Sequence, residues 1–299
     1  MKKLALFIAM IVGVLTPVQA VQSQSGQAQG QGNGAGQCSG PYVLTARQSS
    51  GQTYDPNENT SAIVRINLQP AASDTPQGCA SLPVSIFPQS ASTFTFANGG
   101  NAIGFTQVNS GLVSQANATR FELSGNARSQ LVRGTPVDVD LFEISAGQFL
   151  AAGEYQGTVL VQVGDGLPTP VLFTIIVRPA IKFVIENGSL QKDLSFGDVT
   201  DGSTLQTTVF YQSNAAVAIT IQSQNLGSLV HEGGSAFGNI PYSLVYDGTP
   251  VNLASLAQIN RAFTGLGTRR EQMQLRVEPQ TRKYAGTYRD VLTLNYTAF

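Results

Sequence analysis

Few side chains in this sequence have the types and spacing that catalysis requires. The 299 residues include a single histidine, His231, so a Ser-His-Asp or Cys-His mechanism would depend on that one side chain. No G-x-S-x-G nucleophile elbow accompanies it. The neighbours of His231, from Leu229 to Gly234, are typical of a turn. We therefore interpret His231 as structural, and we predict that the protein has no catalytic residues and is not an enzyme.

The carboxylates do not form a convincing metal site. Asp55 begins a stretch that is similar to a calcium loop, but the sixth position is Thr60 and the twelfth is Ile66. Calcium loops have Gly and Glu at these positions. Asp138 and Asp140 alternate within a strand-like run, as expected for the solvated face of a sheet. We predict that the protein has neither a metal nor a cofactor.

The two cysteines, Cys38 and Cys79, are too few to form a metal site even with the histidine. In an oxidising compartment, a pair of cysteines in one chain by default forms a disulfide. Such a bond would close a loop of about forty residues and stabilise the fold by ~3 to 4 kcal/mol in the chain-entropy model. We predict a disulfide between Cys38 and Cys79.

The N-terminus indicates export. Lys2 and Lys3 precede the apolar run from Leu4 to Leu15, and Val18-Gln19-Ala20 follows, which is the charged, apolar and small-residue order of a signal peptide. The apolar run is shorter than the ~20 residues that a bilayer span needs. We predict that residues 1–20 are a signal peptide.

Charged residues make up 12% of the chain and its net charge is −1, so no basic surface for nucleic acid is expected.

The elements that would position any site are short strands. From Cys38 onward, β-rich runs alternate with clusters of Gly, Pro, Asn and Asp, which indicates β-sandwiches and an all-β fold. The best helix candidate is Leu253 to Ala262. The predicted strands are Ala62 to Leu68, Leu82 to Phe87, Phe94 to Phe96, Val137 to Ile144, Thr158 to Val163, Val171 to Val177, Ile181 to Ile185, Thr204 to Gln212, Ala216 to Ser223, Tyr242 to Tyr246 and Gln272 to Val277.

The length after Cys38 fits two domains of ordinary size. Pro179 ends a strongly apolar run and a new strand begins soon after it, so we place the boundary there. We predict a flexible Gly/Gln-rich leader at 21–37, an N-terminal β-sandwich at 38–178 and a C-terminal domain at 180–299.

An internal repeat relates the two predicted domains. Ala152 to Val161 and Ala285 to Leu294 both read A-G-x-Y followed by an alternating strand. The tyrosine can bury its ring while its hydroxyl bonds nearby backbone. After the first copy, a Gly164-Asp165-Gly166 turn leads into a further strand at Val171 to Val177. After the second copy the chain runs to Phe299, and we expect the corresponding last strand to be missing.

A sandwich that lacks its last strand exposes an apolar groove and unpaired backbone. Filling it with a five-residue apolar strand would contribute on the order of 10 kcal/mol before entropy is counted. Such an edge aggregates unless another chain supplies a strand. The residues predicted to line this donor-strand groove are Ile181, Phe183, Ile185, Leu292, Leu294 and Tyr296.

The C-terminal part resembles the spore-coat-protein-U-like pilins of archaic chaperone-usher pili, over about residues 180 to 299. The residues that carry the resemblance are Leu194-Ser195-Phe196-Gly197, Ser213-Asn214, Ile240 to Leu244 and Tyr284 to Leu294. The resemblance implies two Ig-like, pilin-type sandwiches, the C-terminal one incomplete. It also implies three partners: a periplasmic pilus chaperone, an outer-membrane usher and an adjacent pilus subunit that donates a strand. The absence of cysteine from the C-terminal domain departs from many relatives.

The leader bears on the position within such a fibre. After Val21, residues 21–37 contain no large apolar side chain, so they could not fill a neighbour's groove. A subunit that accepts but cannot donate a strand sits at the end of the fibre. The resemblance then implies a tip adhesin that is exported through the periplasm to the cell surface, binds an external surface or host ligand, and supports biofilm formation.

Two other interpretations remain open: a structural minor pilin or adaptor, and a secreted carbohydrate-binding protein. As a surface-binding loop we consider Ile103 and Phe105, which lie in a Gly/Asn-rich segment. The alternative for these two residues is that they begin a core strand.

Overall fold

A computed structural model of the chain describes residues 4–14, 25–30, 42–49, 52–70, 79, 82–90, 93–117, 119–184, 190–280 and 284–299. The chain forms two compact units. The N-terminal unit is Pro17–Arg178, and the C-terminal unit combines Pro179–Phe299 with Met1–Thr16.

Strands make up nearly all of the regular structure, which confirms the all-β prediction. In chain order the first strands are β1 (Leu4–Val14), β2 (Ser25–Gly30), β3 (Tyr42–Gln48), β4 (Gln52–Tyr54), β5 (Ala62–Pro70), β6 (Val84–Pro88), β7 (Ala97–Asn98), β8 (Asn101–Ala102), β9 (Phe105–Gln107), β10 (Val113–Asn117), β11 (Arg120–Leu123), β12 (Val137–Ile144), β13 (Gly153–Val163) and β14 (Thr169–Val177). The remaining strands are β15 (Ile181–Phe183), β16 (Lys192–Leu194), β17 (Ser203–Ser213), β18 (Val217–Ser223), β19 (Ser228–His231), β20 (Asn239–Tyr246), β21 (Thr249–Val251), β22 (Ala257–Arg261), β23 (Thr268–Val277) and β24 (Tyr288–Ala298).

One α-helix occurs in the described part of the chain, α1 (Gly125–Val132). Its first turn is capped by Ser124, whose Oγ accepts a hydrogen bond from the Ala127 N–H at 3.3 Å. Ala127 and Leu131 are its buried side chains. A 3₁₀ turn, Ser235–Phe237, follows β19.

The N-terminal unit contains two sheets. One has the order β10-β11-β6-β13-β14-β4, with β7 paired to β13 and β8 paired to β7. The other has the order β2-β3-β5-β12-β9. Alternate residues of the strands face the core, as expected for the period of two in a β-strand. At the centre of this core the ring of Phe142 contacts four other phenylalanine rings: Phe94, Phe96, Phe105 and Phe121.

Part of the predicted flexible leader is a strand. β2 pairs antiparallel with β3, from Ser25 opposite Arg47 to Gly30 opposite Tyr42. The Thr169 hydroxyl also donates to the Gln27 carbonyl oxygen at 2.6 Å. The prediction of a flexible leader is therefore wrong for 25–30, because strand pairing uses backbone groups and needs no apolar side chains.

The C-terminal unit is built on an 11-stranded sheet with the path β15-β17-β23-β20-β19-β24-β1-β16. β18 pairs with β24 and β22, and β21 pairs with β20. The stretch Leu253 to Ala262 is not a helix, because Ala257–Arg261 forms β22 against β18. Cross-strand pairing has overridden the local preference there.

Candidate functional site

The two A-G-x-Y tyrosines make equivalent hydrogen bonds to the backbone four residues earlier. The Tyr155 hydroxyl donates to the Ala151 carbonyl oxygen at 3.0 Å, and the Tyr288 hydroxyl donates to the Tyr284 carbonyl oxygen at 3.0 Å. Both rings are fully buried. This confirms the sequence prediction that each tyrosine buries its ring and bonds nearby backbone with its hydroxyl.

The glycine of each copy is required by its surroundings. Gly153 has φ +133° and Gly286 has φ +153°, values that side-chain-bearing residues rarely adopt. A Cβ on Gly153 would lie 2.6 Å from Asn98 Nδ2, and one on Gly286 would collide with Nε2 of His231. Each A-G turn therefore packs closely against another segment of its own unit.

The strands that follow the two A-G-x-Y copies are β13 and β24, and they differ in where one of their neighbouring strands lies in the sequence. In the N-terminal unit, β13 lies between β6 and β14, and β14 is the next strand along the chain. In the C-terminal unit, one edge of β24 pairs antiparallel with β18 and β19. Its other edge pairs with β1, which comes from the far end of the sequence.

β1 runs parallel to β24 along the whole length of both strands. The register extends from Leu4 opposite Tyr288 to Val14 opposite Ala298. On its other side, β1 pairs antiparallel with β16, with Leu6 opposite Leu194. We call the place between β24 and β16 the groove; in this structure β1 fills it.

Three of the predicted groove residues lie on the strand next to β1. Leu292, Leu294 and Tyr296 alternate along β24 and are fully buried. The residues of β1 in register with them are Ile8 and Met10 for the two leucines, and Val12 for Tyr296. The strand beside β1 thus carries buried apolar and aromatic side chains, and their role as the lining of a donor-strand groove stays a prediction.

The other three predicted groove residues are placed differently. Ile181 and Phe183 lie on β15, which pairs with β17 and not with β1. The ring of Phe183 instead contacts that of Tyr296, with centroids 5.0 Å apart. Ile185 lies outside the described residues. The second wall is β16, which sequence reasoning missed because three residues, Lys192–Leu194, give no recognisable strand pattern.

A buried carboxylate fixes the first part of β24. Oδ2 of Asp290 accepts hydrogen bonds from the Ser223 and Tyr242 hydroxyls, both at 2.6 Å. Oδ1 accepts from the Asn225 N–H at 2.9 Å and from the Val291 N–H at 2.8 Å. Burial raises the pKa of Tyr242, so this phenol stays protonated and acts as a donor. The network joins β24 to β20 and to the turn after β18.

A second polar cluster lies at the far end of β24. The Tyr296 and Tyr246 hydroxyls are 2.7 Å apart. Oε1 of the buried Glu271 accepts from the Tyr211 hydroxyl and from Nε of Arg261, both at 3.0 Å. Burial raises the pKa of both Tyr246 and Tyr296. Both ends of β24 are thus held by polar contacts to other strands of the C-terminal unit.

His231 has a structural role at the start of β24. Its Nδ1 accepts from the Gly233 N–H at 2.9 Å, and its Nε2 lies 3.2 Å from the Ala285 carbonyl oxygen. With Nδ1 as the acceptor, the Nε2–H donates to Ala285. The imidazole ring also stacks on Phe237 and meets the edge of Tyr288. The histidine thus binds the A-G turn through its neighbouring carbonyl.

The two residues considered for a surface-binding loop belong to the core. Ile103 is only 4% exposed, and the Phe105 ring packs against those of Phe96 and Phe142. They therefore do not form an exposed apolar loop tip. As in the alternative interpretation, they are core residues, and Phe105 is the first residue of β9. The most exposed large apolar side chain described in the N-terminal unit is Leu167, at 85%, in the turn between β13 and β14.

No protein-family model and no curated protein matches the sequence. Among solved structures, the chaperone and tip-adhesion-subunit complex of archaic chaperone-usher Csu pili from Acinetobacter baumannii matches with a TM-score of 0.43 and 13% identity, covering 85% of this chain and 100% of that chain. CfaE, the adhesive subunit of CFA/I fimbria of enterotoxigenic Escherichia coli, matches with a TM-score of 0.29 and 10% identity, covering 98% of each chain. The secreted serine protease VesC from Vibrio cholerae also matches, with a TM-score of 0.25 and 7% identity, covering 85% of this chain and 50% of that chain. At these scores and identities, similarity does not establish a shared function.

The cysteine pair stays a prediction. Cys79 is buried, and Cys38 lies outside the described residues. Among the residues described, no three His, Cys, Asp or Glu side chains come together in a group that could hold a metal ion. In the same part of the chain, no helix has the length and apolar character needed to cross a bilayer.

Proposed function

We propose that this protein is the tip subunit of a chaperone-usher pilus, and that its C-terminal unit accepts a donor strand in the groove between β24 and β16. The observation that carries the proposal is the parallel pairing of β1 with the full length of β24. A strand that is distant in sequence completes the C-terminal unit, where the N-terminal unit uses its own adjacent strand, β14.

β1 would complete the C-terminal unit only until the protein is exported. Leu4–Val14 lies within the predicted signal peptide, residues 1–20, which signal peptidase would remove on export. Removal would unpair one edge of β24 and uncover Leu292, Leu294 and Tyr296. Reburying an apolar strand there contributes on the order of 10 kcal/mol before ordering entropy is counted. The exported protein would therefore need a strand from another protein, first from a periplasmic chaperone and then from the adjacent subunit.

The pairing of β2 supports a position at the end of the fibre. Ser25–Gly30 forms backbone hydrogen bonds with β3 of its own unit, so this part of the leader is already engaged. Its side chains are Gly, Gln, Ser and Ala, none of which fills an apolar pocket. A leader that is already paired and has no large apolar side chains cannot serve as a donor strand. Such a subunit would accept a strand without donating one. The N-terminal unit would then face outward at the cell surface and mediate attachment and biofilm formation.

The groove proposal can be tested by supplying a strand. The chain without residues 1–20 is compared with the same chain carrying, after Phe299, a short turn and a copy of Val171–Val177 from β14. We expect the unmodified chain to aggregate, and the extended chain to be a monomer with a melting temperature higher by at least about 10 °C.

The matched control carries the same extension with its alternate apolar residues replaced by serine and aspartate. It should behave like the unmodified chain, because backbone pairing alone does not fill the groove. If all three proteins are equally stable monomers, the groove needs no partner and the proposal is wrong.

A further inference from the structure

One buried polar atom on β24 has no hydrogen-bond partner. Part of the Asn295 side chain is exposed, but its Oδ1 is shielded from solvent and accepts no hydrogen bond from any residue that the structure describes. Two other polar side chains of the same strand are satisfied. The Asp290 carboxylate accepts four hydrogen bonds, and the Tyr296 hydroxyl is bonded to that of Tyr246. Buried acceptors without a partner are rare in folded proteins and destabilise them, so Asn295 requires a physical explanation.

Asn295 lies on the strand that borders the groove. Leu294 and Tyr296 are buried in the core, so Asn295, which lies between them, is on the opposite face of the sheet. Its register partners are Thr220 of β18 on one side and Ile11 of β1 on the other. Thr220 has a hydroxyl, yet Oδ1 stays unpaired. A new donor can therefore reach Oδ1 from the strand that occupies the groove, because side chains directly opposite each other on adjacent strands are in contact range.

The strand that fills the groove in this structure supplies no such donor. Leu4–Val14 consists of apolar residues and one glycine, so none of its side chains has an N–H or O–H group. The residue in register with Asn295 is Ile11. β1 therefore leaves Oδ1 unpaired, whereas a strand with a polar side chain at that position would provide the missing hydrogen bond. Two strands of equal apolar content would then differ in how well they fit the groove.

We propose that the donor strand of the adjacent pilus subunit carries a hydrogen-bond-donating side chain, such as serine, threonine, asparagine or lysine, at the position opposite Asn295. The inference rests on the proposed function, since it names a feature of the strand that the same groove accepts. The adjacent subunit is the partner that stays in the groove in the assembled fibre, so it is the partner for which an unpaired acceptor would be a permanent cost. Asn295 is thus a specificity-determining residue that favours this strand over β1.

The proposal can be tested in the 299-residue chain, where β1 gives the register. Ile11→Val and Ile11→Thr introduce side chains of nearly the same shape that differ in one hydroxyl. We expect the melting temperature of Ile11→Thr to be about 3 °C higher than that of Ile11→Val, because the hydroxyl donates to Oδ1 of Asn295. Asn295→Leu removes the acceptor, so in that background the threonine should lose its advantage and the valine should be at least as stable.

Two controls accompany these variants. Position 9 of β1 is in register with Thr293, two residues before Asn295 on the same face of β24. The difference in melting temperature between Ala9→Val and Ala9→Thr should therefore not change when Asn295→Leu is added. Ile8→Asp places a charge in register with the buried Leu292 and should lower the melting temperature by at least about 5 °C if β1 is seated in the groove. Asn295→Ala replaces Asn295→Leu if the leucine variant does not fold.

Two results would overturn the inference while leaving the groove proposal standing, provided that Ile8→Asp is destabilising. One is a melting temperature of Ile11→Thr equal to or below that of Ile11→Val. The other is an advantage of Ile11→Thr that persists when Asn295→Leu is added. If Ile8→Asp leaves the melting temperature unchanged, β1 is not seated beside β24, and the groove proposal is wrong together with this inference.

Discussion

Replacing Asp290 with alanine should destabilise the strand that carries the groove. Its carboxylate is buried and accepts four hydrogen bonds, two of them from the Ser223 and Tyr242 hydroxyls at 2.6 Å. The alanine variant leaves these hydroxyls and the Asn225 and Val291 N–H groups without their acceptor. Ser223 also accepts from the Gly227 N–H, so the perturbation extends into the turn after β18.

The size of the effect follows from the groups left behind. A buried donor without a partner costs about 1 to 3 kcal/mol, and the variant creates four such donors. Removing the charge relieves its own desolvation cost, so the net loss should be near the low end of the sum, about 4 kcal/mol. For a unit of this size, that corresponds to a melting temperature lower by about 14 °C.

Tyr242→Phe provides the matched control. It removes one donor and leaves Asp290 with three, so it should cost about 1.5 kcal/mol, the value of a hydrogen bond to a charged group. Urea unfolding of the 299-residue chain and of the two single variants and the double variant gives the coupling energy. A coupling of about 1 kcal/mol or more is expected for a direct contact. A loss below about 1 kcal/mol for Asp290→Ala, with no coupling, would refute the assignment of this network as the support of β24.

Three further predictions test separate features. Gly286→Ala should destabilise the C-terminal unit by more than about 2 kcal/mol in urea unfolding, because its Cβ collides with the imidazole ring, whereas Gly267→Ala, with open space around it, should change stability little. The melting temperature should be level from pH 7 to about 9 and fall above about pH 10, because burial raises the pKa of Tyr246 in the fold and the unfolded chain ionises its tyrosines first; a level profile to pH 11.5 would contradict this. If the N-terminal unit mediates attachment, Leu167→Asp should reduce adsorption to polystyrene beads, while Leu256→Asp, which replaces a leucine that is 61% exposed on the C-terminal unit, should not; equal adsorption by both variants would contradict a role of Leu167 in attachment.

The strands with clear alternation could be predicted from the sequence, and one of them, β24, carries the buried residues Leu292, Leu294 and Tyr296. Val137 to Ile144 was predicted with the bounds that β12 has, and the second A-G-x-Y copy located β24. Strands can be predicted from such runs because one buried face imposes a period of two on the side chains. The same rule located Leu292 and Leu294, since both lie on the inward face of a long strand.

Other features had no local signal. The helix α1 was missed because it buries only Ala127 and Leu131 and shows no apolar stripe. Tertiary pairing with β18 made a strand of Ala257–Arg261, where a helix was predicted. The core position of Ile103 could not be distinguished from an exposed one, because its Gly/Asn-rich neighbours mask the alternation. The second groove wall, β16, and its partner β1 are far apart in sequence, so only the fold brings them together.

The direction of β1 bears on how the groove could exchange one strand for another. β14 reaches β13 through a short turn and is therefore antiparallel to it, whereas β1 arrives from the opposite end of the sequence and is parallel to β24. Parallel pairing is slightly less stable per residue than antiparallel pairing. A donor that entered antiparallel to β24 would give that strand the geometry that β13 already has, with stronger ladder bonds along all eleven residues of β24. The same donor would lie parallel to β16, but that pairing involves only three residues. We therefore expect a parallel occupant to be displaced by an antiparallel one of equal apolar content, and the reverse exchange to be unfavourable. The direction of exchange can be measured by competition between the seated segment 4–14 and the antiparallel extension after Phe299. The fluorescence emission of an Ile8→Trp variant would report it, because position 8 pairs with Leu292 and the sequence contains no other tryptophan. Retention of the parallel strand in that competition would contradict the argument.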